Sequence, residues 1–126
     1  MSFSNYLETE LLDHVFAGNA YTSPSNVYVG LFTSSPTDAD SGTEISGGAY
    51  VRRLASFSVT GNAATTTSAL EWPTATASWG TVTHIGIYDA SSAGNLLAWA
   101  ALTASKTIAS GDVFRIPAGD IDITLD

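Results

Sequence analysis

Between Leu7 and Phe16, apolar residues recur at helical spacing. Leu7, Leu11, Leu12, Val15 and Phe16 alternate with Glu8, Glu10 and Asp13, which fill the other face. Asn5 stands where an N-cap belongs, with Glu8 three residues on as in a capping box, and Gly18 can close the segment in a left-handed conformation. The pattern predicts a helix over about 5–17. At roughly three and a half turns it is too short to persist alone. Its stripe of Leu7, Leu11 and Val15 must dock on a sheet or on a neighbouring subunit.

After Gly18 the period drops to two. A strand is predicted over 26–33, where Val27, Val29 and Leu31 alternate with Tyr28, Gly30 and Phe32; both faces are apolar, so both should be covered. Residues 33–48 read as a long turn-rich loop. Alternation returns over 50–59, and 61–67 is small and polar, a turn. A short strand over 70–72 stops at Pro73. The next runs over 79–89, with Thr81, Thr83, Ile85 and Ile87 on one face and Val82, His84 and Tyr88 on the other. Across a turn at 89–94 lies its hairpin partner, 95–102, with Trp99 in a core position. Short strands follow over 106–109, 113–116 and 121–125. Seven or eight strands separated by turns predict a mostly β fold. We expect an antiparallel β-sandwich or jelly-roll-like barrel, preceded by one short helix. The whole chain, 1–126, is one domain, with its β-region over about 26–126.

Composition narrows the function. The chain has 126 residues, 44% hydrophobic and only 13% charged, which argues against disorder. Ser and Thr make up roughly a quarter of it, above ordinary usage. Twelve acids against four bases (Arg52, Arg53, Lys106 and Arg115) give a net charge of -8. That balance disfavours nucleic acid, whose phosphates need several Lys or Arg, and disfavours an anionic membrane surface. No apolar run approaches the ~20 residues of a spanning helix, and no secretory signal is read at the start. Without cysteine there is no disulfide and no thiolate site.

The remaining candidates for chemistry are weak. Asp38, Asp40 and Glu44 share one loop, but an EF-hand counted from Asp38 puts Thr43 at the glycine position and Ala49 at the final acid. The simpler reading is a solvated loop tip. His14 and His84 are the only imidazoles, and no Gly-x-Ser-x-Gly elbow accompanies them; each reads as structural. Glu8, Glu10 and Asp13 are the wet face of the helix. Trp72 and Trp79 flank a Pro-containing loop, and rim packing or a subunit contact is their expected use ahead of sugar stacking. Arg52 and Arg53 point to opposite faces, so one must meet a core, an interface or an edge. No catalytic group, metal or cofactor is expected. The interface candidates are Leu7, Leu11, Val15, Arg52, Arg53, Trp72 and Trp79.

Several stretches resemble a group of small structural proteins of tailed bacteriophage virions. They are Ser4-Asn5-Tyr6-Leu7-Glu8 running on to Leu11-Leu12-Asp13-His14-Val15-Phe16, and Tyr28-Val29-Gly30-Leu31 with the Ser-Pro-Thr-Asp loop behind it. Trp79-Gly80-Thr81-Val82-Thr83-His84-Ile85-Gly86-Ile87-Tyr88-Asp89, Gly94-Asn95-Leu96-Leu97-Ala98-Trp99, and Lys106-Thr107-Ile108 with Gly111-Asp112 complete the match. The resemblance implies a virion component, made in the host bacterial cytoplasm, that forms a homo-oligomer, a trimer. Its partners would be the major capsid protein or tail proteins. It offers no catalytic motif. Capsid decoration is the first expectation: a cement protein bridging capsid subunits through many identical contacts. The alternative is a tail-fibre or tail-tip protein involved in host attachment. A small enzyme is the remaining rival.

Overall fold

The computed structural model describes residues 1–125. Helix α1 (Asn5–Phe16) follows a two-residue strand β1 (Ser2–Phe3). The remaining strands are β2 (Val27–Phe32), β3 (Arg53–Ala55), β4 (Phe57–Thr60), β5 (Ala63–Thr66), β6 (Leu70–Glu71), β7 (Gly80–Tyr88), β8 (Leu96–Ile108), β9 (Arg115–Ile116) and β10 (Asp122–Thr124). One sheet has the order β1-β8-β7-β2-β3, a second β10-β5-β4, and β6 pairs with β9. Every pairing is antiparallel. This is the sandwich expected, with one short helix in front.

The core lies on the inner face of the five-stranded sheet. Val29 pairs with Ile87 and Leu31 with Ile85, and all four are buried together with Ala98, Trp72, Phe114, Ile116 and Ile121. The opposite face carries Tyr28 against Tyr88, Gly30 against Gly86 and Phe32 against His84. Phe32, Tyr88 and Leu96 form a second, smaller buried cluster there, with Trp99 packed on it. The two-sided covering expected of β2 is therefore present.

Four details differ from the sequence reading. First, Ser4, not Asn5, caps the helix: its Oγ accepts from the Leu7 N–H at 3.1 Å and also bonds the Leu96 carbonyl. Ser4 wins because it is buried between helix and sheet, where the hydroxyl meets both needs. Gly18 does adopt the left-handed conformation, at φ +74°.

Second, the strand expected over 50–59 divides at Ser56, where the chain passes from one sheet to the other as β3 becomes β4. Third, most of the expected turn over 61–67 is strand β5. Only Gly61-Asn62 turns, in a two-residue hairpin with Thr60 opposite Ala63 and Gly61 at φ +60°.

Fourth, β7 breaks strict alternation. Its pairing with β8 shifts between Val82, opposite Lys106, and His84, opposite Ala101. Thr83 alone thus stands opposite four residues of β8, 102–105, which bulge out of the ladder. The irregularity aims Val82 into the core beside Ile85, on the side opposite to that expected. The same bulge separates the two paired stretches of β8, which is why the sequence reads as strands over 95–102 and 106–109.

Candidate interaction surfaces

Residues 33–52 form a strap over the outer face of the five-stranded sheet, and three carboxylates tie it down. Asp38 Oδ1 accepts from the Trp99 indole at 2.8 Å and from Ser2 Oγ at 2.9 Å. Its backbone carbonyl accepts from Asn5 N–H at 2.8 Å, joining strap and helix. Asp40 Oδ1 accepts the Tyr88 hydroxyl at 2.5 Å. Glu44 accepts the Tyr50 hydroxyl at 2.5 Å and two guanidinium bonds from Arg52, Nε at 2.9 Å and Nη2 at 2.8 Å. The expected solvated loop tip is thus corrected. Each acid has a fixed partner because an indole, a phenol and a guanidinium all need an acceptor where they are covered. Among the described residues no three metal-ligating side chains gather.

Arg52 is the centre of this bracing. Its Nη1 donates to the carbonyls of Ala90 at 2.9 Å and Ala93 at 2.8 Å, and its guanidinium carbon lies 3.6 Å from the centre of the Tyr88 ring. Only 7% of its side chain is exposed. A planar, five-donor cation fits two carboxylate oxygens, two carbonyls and an aromatic face at once; lysine does not. Burial and the bond to Glu44 raise the Tyr50 phenol well above its ordinary range. Burial and the bond to Asp40 do the same for Tyr88. Arg53 is exposed on β3. Of the expected pair, one arginine is therefore internal and one is exposed.

Glycine makes room for the strap. A Cβ on Gly30 would lie 2.7 Å from Glu44 Oε2 and 3.1 Å from the Tyr50 hydroxyl, and one on Gly86 would meet Phe32 at 2.9 Å. The same logic holds at Gly48, whose carbonyl accepts from the Trp79 indole at 2.8 Å.

The tryptophans exchange their expected roles. Trp72 and Trp79 are buried in the chain's own core, Trp72 edge-to-face on Phe114 and Trp79 edge-to-face with Tyr50. Pro73 ends β6 but does not lift either indole out. Among the described residues, the buried Trp72 N–H has no hydrogen-bond partner. Trp99, expected in the core, is half-buried beside His84, with ring centres 5.9 Å apart. His84 Nδ1 lies 2.8 Å from Thr83 Oγ1, and His14 Nδ1 lies 3.1 Å from the Asn19 carbonyl. Both imidazoles bond neighbours within seven residues, as structural histidines do.

Several of the exposed apolar residues lie on the helix. Leu7 and Leu11 are half-buried, and Leu7 packs against the main core with Phe3 and Tyr6. Val15 does not follow them: it is 64% exposed, next to Leu12 at 60% and Phe16 at 82%. The helix thus carries two apolar faces where the sequence suggested one stripe. Leu12 and Phe16 went unread as exposed because periodicity counts apolar positions without saying how far the sheet beneath extends. Below the helix an apolar slot of about 380 Å³ opens between the two sheets, lined among others by Phe3, Leu7, Val27, Phe57, Val59 and Ile123. Val59 at its mouth is 74% exposed.

Fold and surfaces together define a small antiparallel β-sandwich with a strap hydrogen-bonded across the outer face of its main sheet and exposed apolar residues on its helix. Residues 2–124 match the model of the family described as Podophage GP4 fiber I protein gp80. The chain belongs to this family of phage fibre proteins, and is accordingly a phage structural protein and a virion component. The family favours the fibre alternative over capsid decoration. No curated protein matches the chain.

Proposed function

We propose that the chain is a structural component of the tail-fibre apparatus, with a part in host attachment. The family match over residues 2–124 carries this reading. The fold suits it. The strap converts a long loop into a rigid surface, and the exposed apolar residues of α1 provide a place to join other virion proteins. In this role the chain works through contacts with tail proteins, in several identical copies, a trimer by the resemblance, after synthesis in the host cytoplasm. It calls on no catalytic group, cofactor, nucleic acid or membrane.

The test is copy number per purified virion against the major capsid protein, with antibody labelling to locate it. The expected result is at most a few dozen copies, all at the tail, and lost adsorption when the protein is omitted. Hundreds of copies on the head would overturn the reading in favour of a decoration protein.

A further inference from the structure

We propose that the virion protein joined by the outward face of α1 is a second copy of this chain, whose groove between β8 and β9 receives Leu12, Val15 and Phe16. The contact is between copies and is read on the isolated protein, so it stands or falls apart from the fibre reading.

Ser4 caps the helix, and Leu7 and Leu11 are half-buried on its inner side. Leu12, Val15 and Phe16 stand at i, i+3 and i+4 and are strongly exposed, the spacing by which a helix fills a groove. The Asp and Glu residues of α1, Glu8, Glu10 and Asp13, meet no Lys or Arg on their own element, and none occurs before residue 52. Glu8 lies one turn before Leu12, Asp13 lies one turn before Phe16, and both are exposed. The complement of such a face is apolar surface with bases beside it.

The chain itself carries that complement. A groove of about 410 Å³ opens between β8 and β9, with the buried rings and chains of Phe114 and Ile116 in its lining. Lys106 and Arg115 line it too; both are exposed, and among the described residues neither joins an ion pair. Asp120 and Asp122 are the acids of the lining, and Asp122 already accepts from Thr65 Oγ1 at 2.5 Å. Two bases against two acids leave the groove electrically balanced, so the net charge of -8 lies wholly outside it. There an acidic helix escapes the general repulsion between copies and finds cations to pair with. The apolar slot beneath the helix has no charged lining residue and offers nothing to Glu8 or Asp13. Ser4 ties the helix to β8 at Leu96 and Leu97, whereas the groove takes its β8 residues from Ala100 to Lys106. Helix face and groove are therefore different surfaces, and their contact is heterologous: each copy gives a helix to one neighbour and receives one from another.

The test uses two variants of the isolated protein, sized by sedimentation velocity, with circular dichroism to check folding. Leu12→Ser/Phe16→Ser cannot give a helix, and Lys106→Glu/Arg115→Glu cannot receive one; all four side chains are exposed, so both variants should fold. The expected result is an oligomeric wild type that dissociates as salt rises, and an apparent dissociation constant raised at least tenfold in each variant. Mixed one to one, the two variants should form dimers and nothing larger, because one intact helix face and one intact groove remain per pair. Asp13→Lys, which changes only an exposed charge, should weaken assembly to a smaller degree. A monomeric wild type would overturn the inference. So would a groove variant that assembles as wild type does, or a mixture that forms no dimer, since either moves the helix to another surface. Absence of the protein from particles would overturn the fibre reading and leave this contact standing.

Discussion

At the scale of single residues, the strap rests on one ion pair and a few shared acceptors. Glu44→Gln leaves the Arg52 guanidinium, 7% exposed, without its counter-charge. Losing one partner of such a covered pair costs about 3 kcal/mol, to be read as a lowered urea midpoint. The two phenols set an alkaline limit. Folded Tyr50 and Tyr88 hold their protons above the ordinary 10.0, so the folded state binds more protons than the unfolded once pH exceeds that value. Their contribution is complete below it and is lost as pH rises towards the folded values. Denaturation between pH 9 and 11 should show stability falling above about 10, and Tyr88→Phe should flatten the fall. The two buried indoles separate packing from hydrogen bonding. Trp79→Phe loses the bond to the Gly48 carbonyl as well as volume, whereas Trp72→Phe also removes a donor that has no partner among the described residues. Trp79→Phe should therefore be the more damaging by about 1–2 kcal/mol.

At the scale of elements, caps and glycines decide where strands and helix can run. Ser4→Ala removes the N-cap and leaves the Leu96 carbonyl short of a donor. It should cost about 1–2 kcal/mol, while Asn5→Ala changes stability by a few tenths; thermal midpoints of the two variants distinguish them. Gly30→Ala forces its new methyl onto Glu44 and Tyr50, displacing the strap at a cost of about 1–3 kcal/mol. A glycine inside an otherwise apolar strand signals close approach of something to the backbone. That much is readable at Gly30, but the identity of the approaching groups, Glu44 and Tyr50, is not. Likewise Gly61-Asn62 has the composition of a two-residue hairpin. The small residues Ala63 to Thr66 hid the strand after it, because β5 gains its place from two neighbours, β4 and β10, more than from any apolar run of its own.

At the scale of the molecule, five of the seven strand pairings join remote segments, the exceptions being the β4–β5 and β7–β8 hairpins. Ser2 pairs with Trp99, Tyr28 with Tyr88, and Asp122 with Thr65. Such topology makes folding slow relative to helical proteins. Stopped-flow refolding should proceed in milliseconds to seconds, not microseconds. The acids are spread along the chain, whereas every Lys and Arg lies at residue 52 or beyond.

The periodicity of the chain by itself determined a short helix followed by antiparallel strands, the two-sided burial of β2, and the inward set of Ile85 and Ile87. These depend on side-chain alternation, which is local. Its wording also carried the likeness to phage structural proteins, although it put capsid decoration ahead of the fibre. Only the tertiary structure decided which tryptophans are core, that Asp38, Asp40 and Glu44 are anchors, that Arg52 is internal and Arg53 exposed, and that Val15 turns outward with Leu12 and Phe16. Several of these depend on a partner distant in sequence: Trp99 lies 61 residues from Asp38, and Tyr88 lies 48 from Asp40. A hydrogen-bond acceptor or an apolar stripe is visible in the chain, but whether it is satisfied depends on what the fold brings to it.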